Sequence, residues 1–107
     1  MEHDTMSERA TIIADSVIYY HENDEATFFG WLDRMEVVSD YEGRGTALLI
    51  RLARTPTDDD LWELLALHQR YGIDMRQLAS FQTAANAEWF CAPDTYWHQA
   101  VFSPAVP

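Results

Sequence analysis

The spacing of apolar residues changes several times between Ala10 and Phe102, and each change marks an element. Thr11 to Tyr20 (TIIADSVIYY) is rich in β-branched and aromatic residues and has no Gly or Pro. This predicts a strand, with a helical reading left open for its first half. In the following ENDEATFFGWLDRM, Phe28, Trp31, Leu32 and Met35 fall at helical spacing behind a start that Asn23 or Asp24 can cap. The run EVVSDYEGRGTALLIRLAR predicts a hairpin. Val37 to Glu42 form one strand, the two glycines of GRG the turn, and Thr46 to Ala53 the other strand. Leu48, Ile50 and Leu52 then share one face, with Arg51 on the opposite one.

The second half is patterned as helix. In TPTDDDLWELLALHQRYG, Thr55 is placed to be the N-cap with Pro56 in the first turn, where a missing N–H costs nothing. Asp58, Asp59 and Asp60 complement the helix dipole. Leu61, Leu64, Leu65 and either His68 or Gln69 trace the buried face, and Gly72 suits a left-handed end with Ile73 packing just past it. Asp74, followed by Gln77 three residues on, predicts a variant capping box for the next helix, with Ile73 and Leu78 at the staple positions. A stripe of Met75, Leu78, Gln82, Ala85 and Trp89 carries that helix forward. After a turn at Pro93, Tyr96, Trp97, Val101 and Phe102 form a short amphipathic segment. The order implies an α+β domain: a small antiparallel sheet of about three strands covered by three to four helices. Residues 1–107 read as a single domain, with 1–9 and 103–107 loose.

Charge adds a strong constraint. The chain carries 18 acids against 7 basic residues, a formal net charge of −11, and every basic residue is Arg. The excess is spread along the whole chain, so the folded domain itself is acidic. Phosphate binding and anionic membranes both call for a basic surface, so neither nucleic acid nor membrane is an expected direct partner. A basic protein is a suitable partner, because opposite charge speeds encounter and fixes register. A negative charge also simply keeps a protein soluble. The single cysteine, Cys91, rules out an internal disulfide and reads as a semi-buried thiol. The polar N-terminus and short apolar runs predict a cytoplasmic protein without a membrane span.

No phosphate-binding glycine loop and no nucleophile elbow occurs. His3, His21, His68 and His98 have no partner at metal-ligand spacing, so neither a metal nor any other cofactor is expected, and no catalytic residue is assigned. The run Asp58-Asp59-Asp60 resembles a metal-binding cluster, but its place at a helix start accounts for it as capping chemistry. Trp62, Trp89 and Trp97 read as core or boundary residues of the helical layer. The acids of the first half fit a recognition surface better. Asp40, Tyr41 and Glu42 approach the hairpin turn with no capping duty, and Asp33 and Glu36 lie near them in sequence. Glu22, Asp24 and Glu25 follow a strand end and project into solvent. Tyr41 adds the rigid aromatic anchor enriched at interfaces. These eight residues are the candidate partner-binding set; a merely solvated acidic face is the competing reading.

The run RGTALLIRLARTPTDDDLWELLALHQRYGIDMRQLASF, with EWF and YWHQAVF after it, resembles small bacterial immunity proteins of contact-dependent growth inhibition and related polymorphic toxin systems. The resemblance spans Arg44 to Phe102. Its residues are mostly apolar or helix-forming, so they imply scaffold and transfer no site residue. What the resemblance implies is a protein that binds one cognate toxin domain, often a nuclease with a basic groove, and blocks its active site or substrate path. Two rival readings stand beside it: an acidic nucleic-acid mimic of phage origin, and a small ligand-binding module built around His68, His98 and the tryptophans.

Overall fold

A computed structural model describes residues 10–103; of the ends expected to be loose, 1–9 and 103–107, all but Ser103 lie outside the described residues. The protein is α+β, with a three-stranded antiparallel sheet in the order β1-β3-β2 and several helices. The strands are β1 (Thr11–Asp15), β2 (Val38–Arg44) and β3 (Ala47–Leu52). The helices are α1 (Glu22–Arg34), α2 (Asp58–Tyr71), a 3-10 helix at Met75–Phe81, and two short helices, α3 (Ala87–Phe90) and α4 (His98–Phe102). No helix among the described residues is long and apolar enough to cross a membrane.

The hairpin depends on one glycine. Gly45 has φ +60 and starts a two-residue turn, Gly45–Thr46, while Gly43 lies within β2. A positive φ at the first turn position alone is what a type II′ hairpin requires, and glycine supplies it without strain. β1 then adds to the far side of β3, pairing Ile12 with Ile50 and Ala14 with Leu48. Ile12, Ala14, Ile50 and Leu52 are buried and face the helices. Arg51 lies on the opposite face, as the alternation requires.

Several sequence expectations need correction. β1 stops at Asp15, five residues short of Tyr20, because Ser16 takes φ +58 and turns the chain out of the sheet while its N–H still bonds Thr46 O at 2.9 Å. The cap of α2 is Thr57, not Thr55. Thr57 Oγ1 accepts from Asp60 N–H at 3.1 Å, Asp60 Oδ2 accepts from Thr57 N–H at 2.8 Å, and Arg54 closes on the same carboxylate at 3.0 Å. One carboxylate thus serves a capping box and an ion pair together, a combination the Thr55 register would forgo. The cap of α1 is likewise neither Asn23 nor Asp24 but His21, whose Nδ1 accepts from Asn23 N–H at 2.9 Å.

A further correction concerns the long helix expected from Asp74 to Trp89. The left-handed Gly72 (φ +69) does end α2, with Ile73 N–H reaching back to His68 O at 3.0 Å. Asp74 does cap the 3-10 helix, accepting from Arg76 N–H. Gln77, however, makes no capping box. Its side-chain amide turns to β1, where Oε1 accepts from Ile13 N–H and Nε2 donates to Ile13 O, each at 3.0 Å. The helix stops at Phe81 because Thr83 and Asn86 satisfy each other's backbone N–H groups, and Asn86 Nδ2 donates to Phe81 O at 3.0 Å. Such side chains offer the backbone an alternative to the helical ladder. Gln82 and Ala85 are consequently exposed, and the stripe is broken.

The core lies between the sheet's inner face and the helices. Phe28 and Leu32 of α1, Leu61, Leu64 and Leu65 of α2, Leu78, Phe90 and Trp97 are all buried. α1 is fastened to α2 by a Phe28–Tyr71 edge contact (4.8 Å between centroids) and by Trp31 Nε1 donating to Glu63 Oε2 at 2.8 Å. Phe29 packs on Tyr41 of β2 at 5.4 Å, which seats α1 over the sheet.

Candidate functional site

The eight predicted partner-binding residues do not form one cluster. Asp24 and Asp33 stand nine residues apart on α1, about 14 Å along the helix at 1.5 Å per residue. Glu22, Asp24 and Glu25 therefore occupy one end, and Asp33 with the hairpin acids the other. The second group splits again across the sheet. Tyr41 points to the helix side, where its hydroxyl donates to Asp33 Oδ1 at 2.7 Å; that bond, followed by burial, raises the Tyr41 pKa. Asp40 and Glu42 point to the open side and are held by Arg51, at 2.6 Å and 2.5 Å, while Arg44 adds a second contact to Glu42 at 3.2 Å. The Arg51 and Arg44 hydrogen bonds hold the Glu42 carboxyl below its usual range. Much of the hairpin charge is thus already balanced within the sheet. Glu36 sits exposed in the turn between α1 and β2.

The N-terminal end of α1 is different. Beyond β1, residues 17–20 alternate in burial, with Val17 and Tyr19 turned inward and Ile18 and Tyr20 outward. Ile18 is 66% exposed and Tyr20 86%. Asp24 Oδ2 accepts from Tyr20 N–H at 3.0 Å, which ties this segment to the first turn of α1 and sets the tyrosine beside Glu22, Asp24 and Glu25. Behind Tyr20, an open cleft of about 480 Å³ is lined by Ser16, Ile18, Asp24 and the end of α2 at Arg70, Tyr71 and Gly72. The pKa of Tyr71 is raised, first by burial and then by Asp24. The strained Ser16 stands at the root of this segment. Non-glycine residues with positive φ carry a conformational cost and concentrate at functional positions.

The sequence pattern does not single out Ile18 and Tyr20, because it makes them the end of a strand. The pair Asp15-Ser16 is the available signal. Asp15 Oδ1 accepts from both the Ser16 and the Thr46 hydroxyls, the self-contained hydrogen bonding by which Asp and Ser end regular structure.

The histidine chemistry resolves differently. His68 is fully buried in α2. Its Nδ1 lies 2.7 Å from Leu64 O and its Nε2 lies 3.3 Å from Gln77 Nε2, so the assigned tautomer carries its proton on Nδ1 and accepts from the Gln77 amide. Burial lowers its pKa from 6.5 to about 4. This is a structural histidine, closed to any ligand. Among the described residues, no group of three or more His, Cys, Asp or Glu side chains could hold a metal ion. No family model, curated protein or solved structure matches the chain, so its function has to be read from the surface itself.

Proposed function

We propose that this protein is an immunity protein that neutralises a cognate toxin domain, a nuclease with a basic groove, by covering the groove with the Ile18–Glu25 surface. The observation that carries the reading is the pair of outward apolar side chains, Ile18 and Tyr20, set among Glu22, Asp24 and Glu25. An aromatic anchor within a polar rim is the usual plan of an interface hot spot. The net charge of −11 supplies the complementary field for fast, salt-sensitive association, and the resemblance over Arg44 to Phe102 points the same way. Asp33, Glu36 and the hairpin acids Asp40 and Glu42, with Tyr41, fall into a secondary role, since Arg51, Arg44 and the Tyr41–Asp33 bond already occupy most of them. In this reading the protein carries out no chemistry and acts by occlusion.

The test is co-expression with the toxin domain encoded beside it. Wild-type protein restores growth and forms a complex measurable by calorimetry. Tyr20→Ala raises Kd by roughly thirtyfold, the effect of losing a hot-spot aromatic worth about 2 kcal/mol. A toxin domain that is harmless alone, or that forms no complex, sinks the proposal.

A further inference from the structure

A second surface, away from the Ile18–Glu25 end, carries an aromatic arrangement that the core does not need. Trp62 of α2 is 49% exposed and lies flat on Trp89 of α3, with ring centroids 5.2 Å apart and planes within 8°. Beneath them Trp97 is buried and meets both edge-on, at 4.9 Å from Trp62 and 6.1 Å from Trp89. Trp97 is itself fixed, its Nε1 donating to Phe90 O at 2.7 Å. Tyr96 rests edge-on against the same Trp97 ring and is 56% exposed. The cluster is therefore graded: a pinned indole at the bottom, a half-buried one beside it, and an indole and a phenol at the top with surface left over. Trp62 stacks on Trp89 and meets Trp97, and about half of its surface is still exposed.

The surroundings of this surface are acidic. Asp58 and Asp59 precede Trp62 by four and three residues on α2, which places them on the same helix face, and both are exposed. Glu88, next to Trp89, is exposed as well. An indole face attracts a cation through its quadrupole, and carboxylates around it raise the local concentration of that cation. Among protein cations, guanidinium is the best match. It is planar, weakly hydrated and stacks on aromatic faces, and its remaining N–H groups reach neighbouring carboxylates; an ammonium is compact and holds its water. A second copy of this chain is a poor occupant, because each copy brings −11. An apolar partner would bury Asp58, Asp59 and Glu88 unpaired at its margin.

We infer that the Trp62–Trp89 stack is a landing surface for an arginine side chain of a basic protein partner, gripped by the exposed indole surface of Trp62 and held laterally by Asp58 or Asp59. The stack is already ordered by Trp97, so docking freezes few new rotamers. This inference goes beyond the occlusion surface and stands without it, since it concerns a different group of side chains.

The four tryptophans give four indole N–H resonances, which makes the test local. The end-blocked peptide acetyl-Gly-Arg-Gly-amide is titrated into the intact protein, with the lysine and the uncharged citrulline analogues in parallel. The arginine peptide should move the Trp62 and Trp89 indole signals saturably and leave Trp31, which is bonded to Glu63, in place. The lysine peptide should bind more weakly and citrulline should leave all four signals unmoved. Trp62→Leu should weaken arginine-peptide binding about tenfold while the remaining resonances stay dispersed as in the folded protein. Equal shifts with citrulline, an unchanged titration in Trp62→Leu, or shifts confined to residues 16–25 would overturn the inference. Loss of toxin binding would instead bear on the occlusion surface, so the two ideas fail separately.

Discussion

His68 makes folding stability depend on pH, chiefly between pH 6.5 and about 4. The perturbation is His68→Gln, compared with wild type from pH 7 to pH 4.5. The imidazole has pKa about 4 in the fold and 6.5 as its reference value. Above pH 6.5 both the folded and unfolded forms are neutral, and His68 contributes no pH dependence. Below 6.5 the unfolded chain takes up a proton that the buried ring refuses, so stability falls with pH, and the loss levels off only beneath pH 4. Integrated from pH 7 to 4.5, the loss is about 2.5 kcal/mol, at 1.36 kcal/mol per unit of pKa difference. The geometry explains the refusal. A proton on Nε2 would face the Gln77 amide donor at 3.3 Å, and rotating that amide would break both of its bonds to Ile13. Urea denaturation of both proteins across the range is the assay. Exposed carboxylates are common to both proteins and cancel in the difference. The wild-type advantage should shrink by about 2.5 kcal/mol between pH 7 and 4.5. A difference that stays constant across that range would refute a buried neutral His68.

Two further predictions concern backbone caps. Thr57→Ala should cost about 1 kcal/mol in urea denaturation at pH 7 and Thr55→Ala close to nothing, since Thr57 alone completes the box with Asp60; the reverse order would restore the Thr55 register. Asn86→Ala should cost roughly 1–3 kcal/mol, because it orphans Thr83 N–H and Phe81 O in a partly buried corner, and a neutral result would mean that the break after Phe81 has another cause.

The elements that read well from the sequence are those where one local signal has one meaning. The α2 stripe of Leu61, Leu64 and Leu65, the left-handed Gly72 and the alternation of Leu48, Ile50 and Leu52 each follow from period or from a single φ requirement. The errors cluster where a side chain has two uses. Asp60 serves Thr57 and Arg54 at once, Gln77 leaves its local cap for Ile13 sixty-four residues away, and Asn86 turns an apparent stripe into two short pieces. Nothing in local spacing tells a polar side chain which of its partners tertiary structure will bring near. The same holds for the candidate site. The acids of α1 and the hairpin are recognisable as acids, yet only the fold shows that Arg51 neutralises part of them and that Ile18 and Tyr20 stand free at the other end.

The Gln77 amide has a consequence for life in a crowded solution. β1 is an outermost strand, and the residues that flank it, Ala10 and Ser16, bond towards β3, so by alternation the N–H and C=O of Ile13 point away from the sheet. Those two groups are what an intruding chain would need to start pairing. Gln77 presents to them one donor and one acceptor, as the peptide of a neighbouring strand would, and so occupies the middle of this edge with a single side chain. Ile13, 48% exposed at the middle of that strand, would otherwise be an apolar nucleus for strand-to-strand polymerisation. The β1 edge of this sheet is thus blocked at its middle from within, by the same chain that forms it.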